Sequence, residues 1–515
     1  MDSYDLDTVL MGLGEGVEWT ARHAVEGTQI FGGIGSGKTS GSGAFIAKKF
    51  LQNGYGGLVL SVKPGELEEN WLPYCQETNR LDDLIVVKPC NRNHFNFISY
   101  ELNHSSGDKG AIDNLAHTLK TVLNASRQNR GGQNDDFWED ALDMLLFNVL
   151  DLCYWAYGKR INIDKISDVV NSLPGSEKDY RQNKERLDAN KKAKTKKQSR
   201  KAFFNAFDAV ENLVAIEISN ARDAFERAYP DKELGNKYIH LTAYKKYAKL
   251  KNYFRDSFVP LADKTKSIVE HMLKGLLFRL SREPVYSLLC GHQQNFQPEH
   301  CIGGKIIFID LPVKDYDKVG KDAQILFKYI WQRAMERRDV QKDGGRPVFL
   351  WADEAQNFLH EHDIDYQATA RSSRVCTVYL TQNLPNYYAH LGGREGEYHV
   401  KSFIGTMGTK IFHANADVET NDYASALCGK IYYTKKNTSF QTSGDFSSSE
   451  SQSLELIEAL RPEKFVSLAT GGKQNNYTVQ AYLHRQGTPM IWHDKARKHY
   501  KRNFKFIQLT QKIRS

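Results

Sequence analysis

Gly32-Gly33-Ile34-Gly35-Ser36-Gly37-Lys38-Thr39 follows directly on the short run Thr28-Gln29-Ile30-Phe31. The octapeptide is a complete G-x-x-x-x-G-K-[ST] phosphate loop, and a strand before it with a helix after it is the context such a loop requires. Each residue type has a task. Glycines let the backbone wrap a triphosphate and aim N–H groups at it. Lys38 reaches the β- and γ-phosphates, and Thr39 offers a hydroxyl to Mg²⁺. The following helix adds the positive end of its dipole. Gly32, Gly33, Ile34, Gly35, Ser36, Gly37, Lys38 and Thr39 are therefore all expected at a nucleotide.

The second half of such a site is Val348-Phe349-Leu350-Trp351-Ala352-Asp353-Glu354. A strand buried on both faces reads as an unbroken apolar run. Open α/β sheets bind ligands beyond the carboxyl ends of their strands, where this run carries two carboxylates. Asp353 is expected to hold Mg²⁺ through water and Glu354 to polarise the attacking water. On its own the run also reads as a strand ending in an acidic helix cap. A carboxylate for each task argues for hydrolysis rather than nucleotide binding alone. No Asn-Lys-x-Asp guanine signature occurs, so ATP with Mg²⁺ is the expected nucleotide.

Composition agrees with a soluble intracellular motor. The chain has 515 residues, 26% of them charged, and a net charge of +8, compatible with an anionic polymer as partner. Seven cysteines show no C-x-x-C pair and no zinc spacing, which suggests reduced thiols and a cytoplasmic setting. The start Met1-Asp2-Ser3-Tyr4 is not a signal peptide, and no apolar run reaches the ~18 residues of a membrane span.

Along the chain the pattern changes twice. Residues 1–102 alternate short β-rich runs, such as Gly57–Ser61 and Leu84–Val87, with helical stretches. Residues 103–289 lose the strand signal, and Asp136–Tyr157 and Ile268–Leu280 carry apolar residues at helical spacing. From 290 to 515 strands return: 305–310, 348–352, 375–380, 410–412, 465–468 and 477–483. The fold class is thus α/β, with residues 1–102 and 290–515 forming a discontinuous nucleotide-binding domain and 103–289 an inserted all-α domain. Residues 437–453, rich in Ser and Thr, read as a mobile loop. The basic run Arg181–Lys201 reads as a solvated face, with phosphate-backbone contact as the alternative.

A third motif, Thr369-Ala370-Arg371-Ser372-Ser373-Arg374, precedes the apolar run Val375–Leu380, which ends in Thr381-Gln382-Asn383. A Gln just past a strand beside the acidic one is placed to contact the γ-phosphate or position water. An Arg at the end of the preceding helix is placed to reach a neighbouring subunit's nucleotide. The plainer reading is a helix with a basic C-terminus, which its dipole favours.

Together Gly-Ile-Gly-Ser-Gly-Lys-Thr, Trp-Ala-Asp-Glu-Ala-Gln-Asn and Ala-Arg-Ser-Ser-Arg-Val…Leu-Thr-Gln-Asn resemble the type IV secretion coupling proteins, conjugative DNA-transfer ATPases of the FtsK–HerA superfamily. Weaker similarity runs through Val62-Lys63-Pro64-Gly65-Glu66-Leu67, Phe95-Asn96 and Asp310-Leu311-Pro312, so that the resemblance spans roughly residues 15–485. It implies a RecA-like core, a ring hexamer with ATP sites between subunits, a channel for DNA, and recruitment of a relaxase or relaxosome through the all-α domain. By motif it assigns Lys38 and Thr39 to nucleotide and Mg²⁺, Asp353 and Glu354 to Mg²⁺ and water, Gln382 to γ-phosphate sensing, and Arg371 to a finger acting in trans. Arg22, shortly before the phosphate loop, is a second such arginine.

Three departures qualify the resemblance. Ser61 stands where the family commonly has Asp, and Phe97 replaces a proline. The family's N-terminal membrane helices are not seen before Gly32. The expected protein is a cytoplasmic ATP-driven DNA translocase, peripheral at the inner membrane through a separate membrane protein. The alternatives are a phage-type packaging or DNA-processing ATPase of the same superfamily, or a nucleotide-gated receptor for protein substrates.

Overall fold

A computed structural model describes residues 4–14, 17–104, 110–125, 135–192, 201–228, 241–291, 294–391, 393–443, 445–487, 489–493 and 499–511. The chain packs as two compact units. The first holds 1–86, 298–315 and 331–515; the second holds 87–297 and 316–330. The expected divisions lie after 102 and before 290.

In the first unit, β1 (Val9–Gly12) and β2 (Glu18–Thr20) form a small antiparallel pair. Ten strands come next in the chain, up to β12: β3 (Thr28–Phe31), β4 (Gly56–Leu60), β5 (Leu84–Val87), β6 (Ile306–Ile309), β7 (Val348–Ala352), β8 (Val375–Thr381), β9 (Thr409–Phe412), β10 (Lys430–Ser443), β11 (Asp445–Glu458) and β12 (Thr478–Arg485). Last come β13 (Met490–His493), β14 (His499–Arg502) and β15 (Phe504–Thr510). Nine of these make one sheet in the order β15-β12-β9-β3-β8-β7-β4-β6-β5. Its centre is parallel, while β12 runs antiparallel to both β9 and β15. The central strands are buried along their whole length, which is why Ile306–Ile309 and Val348–Ala352 read as unbroken apolar runs. Trp71 stacks on Phe349 at 5.7 Å, and Phe50 on the same ring at 5.8 Å, tying the flanking helices to the sheet.

Two local expectations are corrected. Residues 465–468, expected as a strand, belong in part to the short helix Glu463–Val466, begun by Pro462. The apolar signal there is Phe465, which packs edge-on against Phe412 and Tyr482 rather than joining the sheet. Residues 437–453, expected as a loop, lie within the ribbon β10–β11, whose register runs from Lys430↔Glu458 to Ser443↔Asp445. Near its base Tyr432, Tyr433, Leu454 and Leu456 are all exposed, so backbone pairing rather than burial of these side chains holds that part of the ribbon.

In the second unit, described residues 88–297 contain helical elements only. Helix Asp135–Tyr157 buries Leu142, Leu145, Leu146, Val149, Leu150 and Cys153. That is the i, i+3, i+4, i+7 stripe of a core-facing helix. Phe203 and Phe254 meet edge-on at 4.9 Å in the same core. The basic run begins in helix Glu177–Lys192; residues 193–200, with Lys194, Lys196, Lys197 and Arg200, lie outside the described residues.

All seven cysteines are free thiols; six are buried and Cys90 is exposed. Among the described residues no helix is long and apolar enough to cross a membrane.

Candidate nucleotide site

The parallel register brings four strand ends together. Phe31 pairs with Thr381, Ala352 with Tyr379, and Leu60 with Ala352, so β3, β8, β7 and β4 all finish at one edge of the sheet. The residues just past each strand then decide the chemistry: the phosphate loop after β3, Lys63 and Glu66 after β4, Asp353 and Glu354 after β7, Gln382 after β8.

The loop turns through Gly35 at φ 70° and Gly37 at φ 81°, conformations that L side chains rarely adopt. A Cβ on Gly37 would also lie 2.7 Å from Val479 Cγ2 of β12. The chain after the loop enters a π-helical turn, Thr39–Gly43, and then the helix Ala44–Gln52. The Ser42 hydroxyl meets His413 Nε2 at 2.7 Å, and burial pushes that imidazole down to about 3, so it is neutral at ordinary pH. Ile34 is 91% exposed at the tip of the loop.

Thr39 Oγ1 donates to Asp353 Oδ2 at 2.7 Å, and Asp353 Oδ1 accepts the Glu354 N–H at 2.9 Å. Glu354 itself is left-handed, φ 52° and ψ 50°, a strained conformation for a non-glycine residue and one that clusters at functional sites. Its carboxylate is the hub of the site. Lys38 Nζ donates to Oε1 at 3.3 Å, Gln382 Nε2 donates to Oε1 at 3.3 Å, and Gln356 Nε2 donates to Oε2 at 3.0 Å. Lys63 Nζ lies 3.6 Å from Oε1. Burial alone would raise this carboxyl; Lys38, Gln356, Lys63 and Gln382 outweigh it and hold Glu354 below its ordinary value. Thr381 Oγ1 donates to Gln356 Oε1 at 2.8 Å, so the residue before Gln382 fixes the amide that orients Glu354.

A cavity of about 650 Å³ opens over these groups, lined by the loop, Lys63, Glu66, Asp353, Gly472 and Gln511 among others. Gln511, just after β15, donates to Ser40 Oγ at 2.6 Å and accepts the Gly472 N–H at 2.9 Å. The hydroxyl–carboxylate pair Thr39–Asp353 is a hard oxygen donor set of the kind Mg²⁺ takes, and it sits beside the glycine cradle.

The structure thus brings Lys38, Thr39, Asp353, Glu354 and Gln382 together. It does not bring Arg22 or Arg371 to them. Arg371 lies 3.7 Å from Glu26, and Arg22 pairs with Asp7 at 2.9 Å. Both arginines line a second cavity of about 480 Å³, with His23, Glu26, Gln367 and Gln486. Sequence reasoning assigned no role to Lys63, Glu66, Gln356 or Gln511. The first two had a signal, since they follow a buried strand as Asp353 does. Gln511 had none: an antiparallel strand brings it to the loop. Ser61, which stands where the resembling coupling proteins commonly have Asp, donates to the Ile309 carbonyl at 2.8 Å and serves the sheet.

Residues 347–469, which include the acidic half of this site, match the family described as the TraM recognition site of TraD and TraG. The bacterial conjugative coupling protein TrwBdeltaN70, in its unbound form, superposes with a TM-score of 0.59 at 10% identity, covering 100% of this chain and 90% of that one. The chain shares the fold of this coupling-protein structure. Coupling protein TrwB with ADP and Mg²⁺ gives 0.56 at 10% identity, covering 100% of this chain and 91% of that one. TrwB with the ATP analogue ADPNP gives 0.54 at 10%, with the same coverage. No curated protein matches by sequence. In this fold a RecA-like α/β domain occurs together with an all-α domain, as the resemblance implied. The matched family segment holds Asp353, Glu354, Arg371, Gln382 and the ribbon β10–β11, and lies wholly in the first unit.

Proposed function

We propose that this chain is an ATP-hydrolysing DNA translocase of the conjugative coupling type, working as a homo-oligomeric ring, with a hexamer as the expected form. The observation that carries the reading is the meeting of Lys38, Thr39, Asp353, Glu354 and Gln382 at the ends of parallel strands. Lys38 and the loop N–H groups bind the phosphates. Thr39 and Asp353 would hold Mg²⁺, which when bound supplies positive charge to the phosphate oxygens. Glu354, kept ionised by its neighbours, polarises the attacking water, and Gln382 reports the terminal phosphate to β8.

No arginine lines the cavity over the phosphate loop among the described residues. Arg371 is 60% exposed in a separate cavity, which supports a finger given to the neighbouring subunit, with Arg22 beside it. The family match supports a relaxosome-type protein partner met on residues 347–469. Recruitment through the all-α domain rests on positional resemblance. Attachment to a membrane would come through a separate membrane protein.

The test uses the purified full chain. Lys38→Ala should abolish nucleotide binding. Glu354→Gln should keep it while ATP turnover falls by about two orders of magnitude or more. Wild-type turnover should rise with added DNA, and that stimulation should fade as salt is raised. Turnover indifferent to DNA at low salt would favour a nucleotide-gated receptor instead.

A further inference from the structure

Three donors converge on one anionic oxygen. Lys38 Nζ and Gln382 Nε2 each stand 3.3 Å from Glu354 Oε1, and Lys63 Nζ stands 3.6 Å from it. Two ammonium groups and an amide N–H around a single charged oxygen is the surrounding a terminal phosphate oxygen needs. Lys38 fixes which phosphate is meant, because the phosphate-loop lysine serves the β- and γ-positions. Lys63 shares its oxygen with Lys38, so it serves the same end of the site.

Lys63 is also built to move at its tip and nowhere else. The Val62 and Lys63 N–H groups both donate to the Glu66 carboxyl oxygens at 3.3 Å. Pro64 limits the next φ, and Gly65 turns the chain at φ 81°. The Cα is therefore held while the side chain, 42% exposed, lines the cavity; Lys38 and Glu354 are only 8% and 6% exposed. A lysine is a compact point charge on a flexible stem, suited to passing from one anion to another.

Resting on the nucleotide reading above, we propose that Lys63 is a second phosphate-binding cation that grips the terminal phosphate of a nucleoside triphosphate, and that Glu354 Oε1 holds this lysine while that phosphate is absent. The triphosphate draws Lys63 and Lys38 away from Glu354, so the carboxylate becomes free to act on water only when there is a phosphate to transfer. A diphosphate has no terminal group for Lys63, and the Lys63–Glu354 pair persists.

The experiment measures binding of ADP and of a non-hydrolysable ATP analogue, each with Mg²⁺, to the full-length wild type, Lys63→Gln, Lys63→Arg and Lys38→Ala. Lys63→Gln should weaken the analogue by about tenfold or more, the scale of a lost charge-assisted hydrogen bond, and change ADP by less than about twofold. Lys63→Arg should recover part of the loss. Lys38→Ala should lose both nucleotides. An unchanged ratio of analogue to ADP affinity in Lys63→Gln overturns the proposal, and so does an equal loss of both, which marks Lys63 as structural. A wild type that binds neither nucleotide overturns instead the reading of the site on which this rests.

Discussion

Glu66 shows how far a single carboxyl can be displaced here. Burial, then the nearby charge of Asp353, push it up to about 8, against the opposing pull of Lys63 and two backbone N–H groups. Because its folded value is raised above the ordinary 4.5, the neutral form is the one the fold prefers. Its contribution to stability is full below about 4.5 and is lost as pH rises through about 8. Glu66→Gln should therefore gain thermal stability relative to the wild type between pH 5.5 and pH 8.5, at roughly 2–4 °C per kcal/mol for a domain of this size. Melting curves of the two proteins at both ends of that range check it, and a constant difference would count against a buried neutral Glu66. At this scale the sequence was readable where a residue follows a buried strand. Asp353, Glu354 and Gln382 obeyed that rule and met. Gln356 escaped it because its task is to hold Glu354, a contact that two-residue spacing in a strained turn does not announce.

Among the elements, the parallel strands were legible because burial on both faces leaves no room for polar residues. The ribbon β10–β11 was not, since its Ser- and Thr-rich sequence lacks an apolar pattern, and Tyr432, Tyr433, Leu454 and Leu456 near its base are exposed. Phe465 misled for the opposite reason: one large aromatic gave a strand-like signal to a helical turn. An exposed two-stranded ribbon contributes little to a core. Cutting it back, by joining Tyr433 to Glu455 through Asn-Gly across their existing pairing, should leave unfolding free energy within about 0.5 kcal/mol of the wild type and nucleotide binding intact. Denaturant unfolding and ADP titration test this. A larger loss of stability would mean that the ribbon braces the rest of its unit.

For the whole molecule, the two-part organisation was legible from the loss and return of strand signal, whereas the capture of residues 316–330 by the second unit was not. Helix Val313–Glu336 supplies those residues, and it kinks at Asp317, where φ is 45°. The separation of Arg371 from the phosphate loop can be tested only in an assembly. Arg371→Ala and Lys38→Ala should each be nearly inactive, and a mixture of the two should regain measurable ATP turnover, because some interfaces then pair an intact loop with an intact arginine. Turnover that stays absent after subunits have demonstrably exchanged would argue against an arginine donated between subunits.

That exchange can be watched without altering the protein. Burial pushes the Cys75 thiol up to about 11 and raises those of Cys153, Cys290 and Cys376 further, which starves them of the thiolate that reacts. Cys90 alone of the seven is open to solvent. A maleimide fluorophore should therefore enter at one place per chain under mild conditions. Separately coloured batches, once combined, would transfer excitation between dyes only when their copies share an assembly.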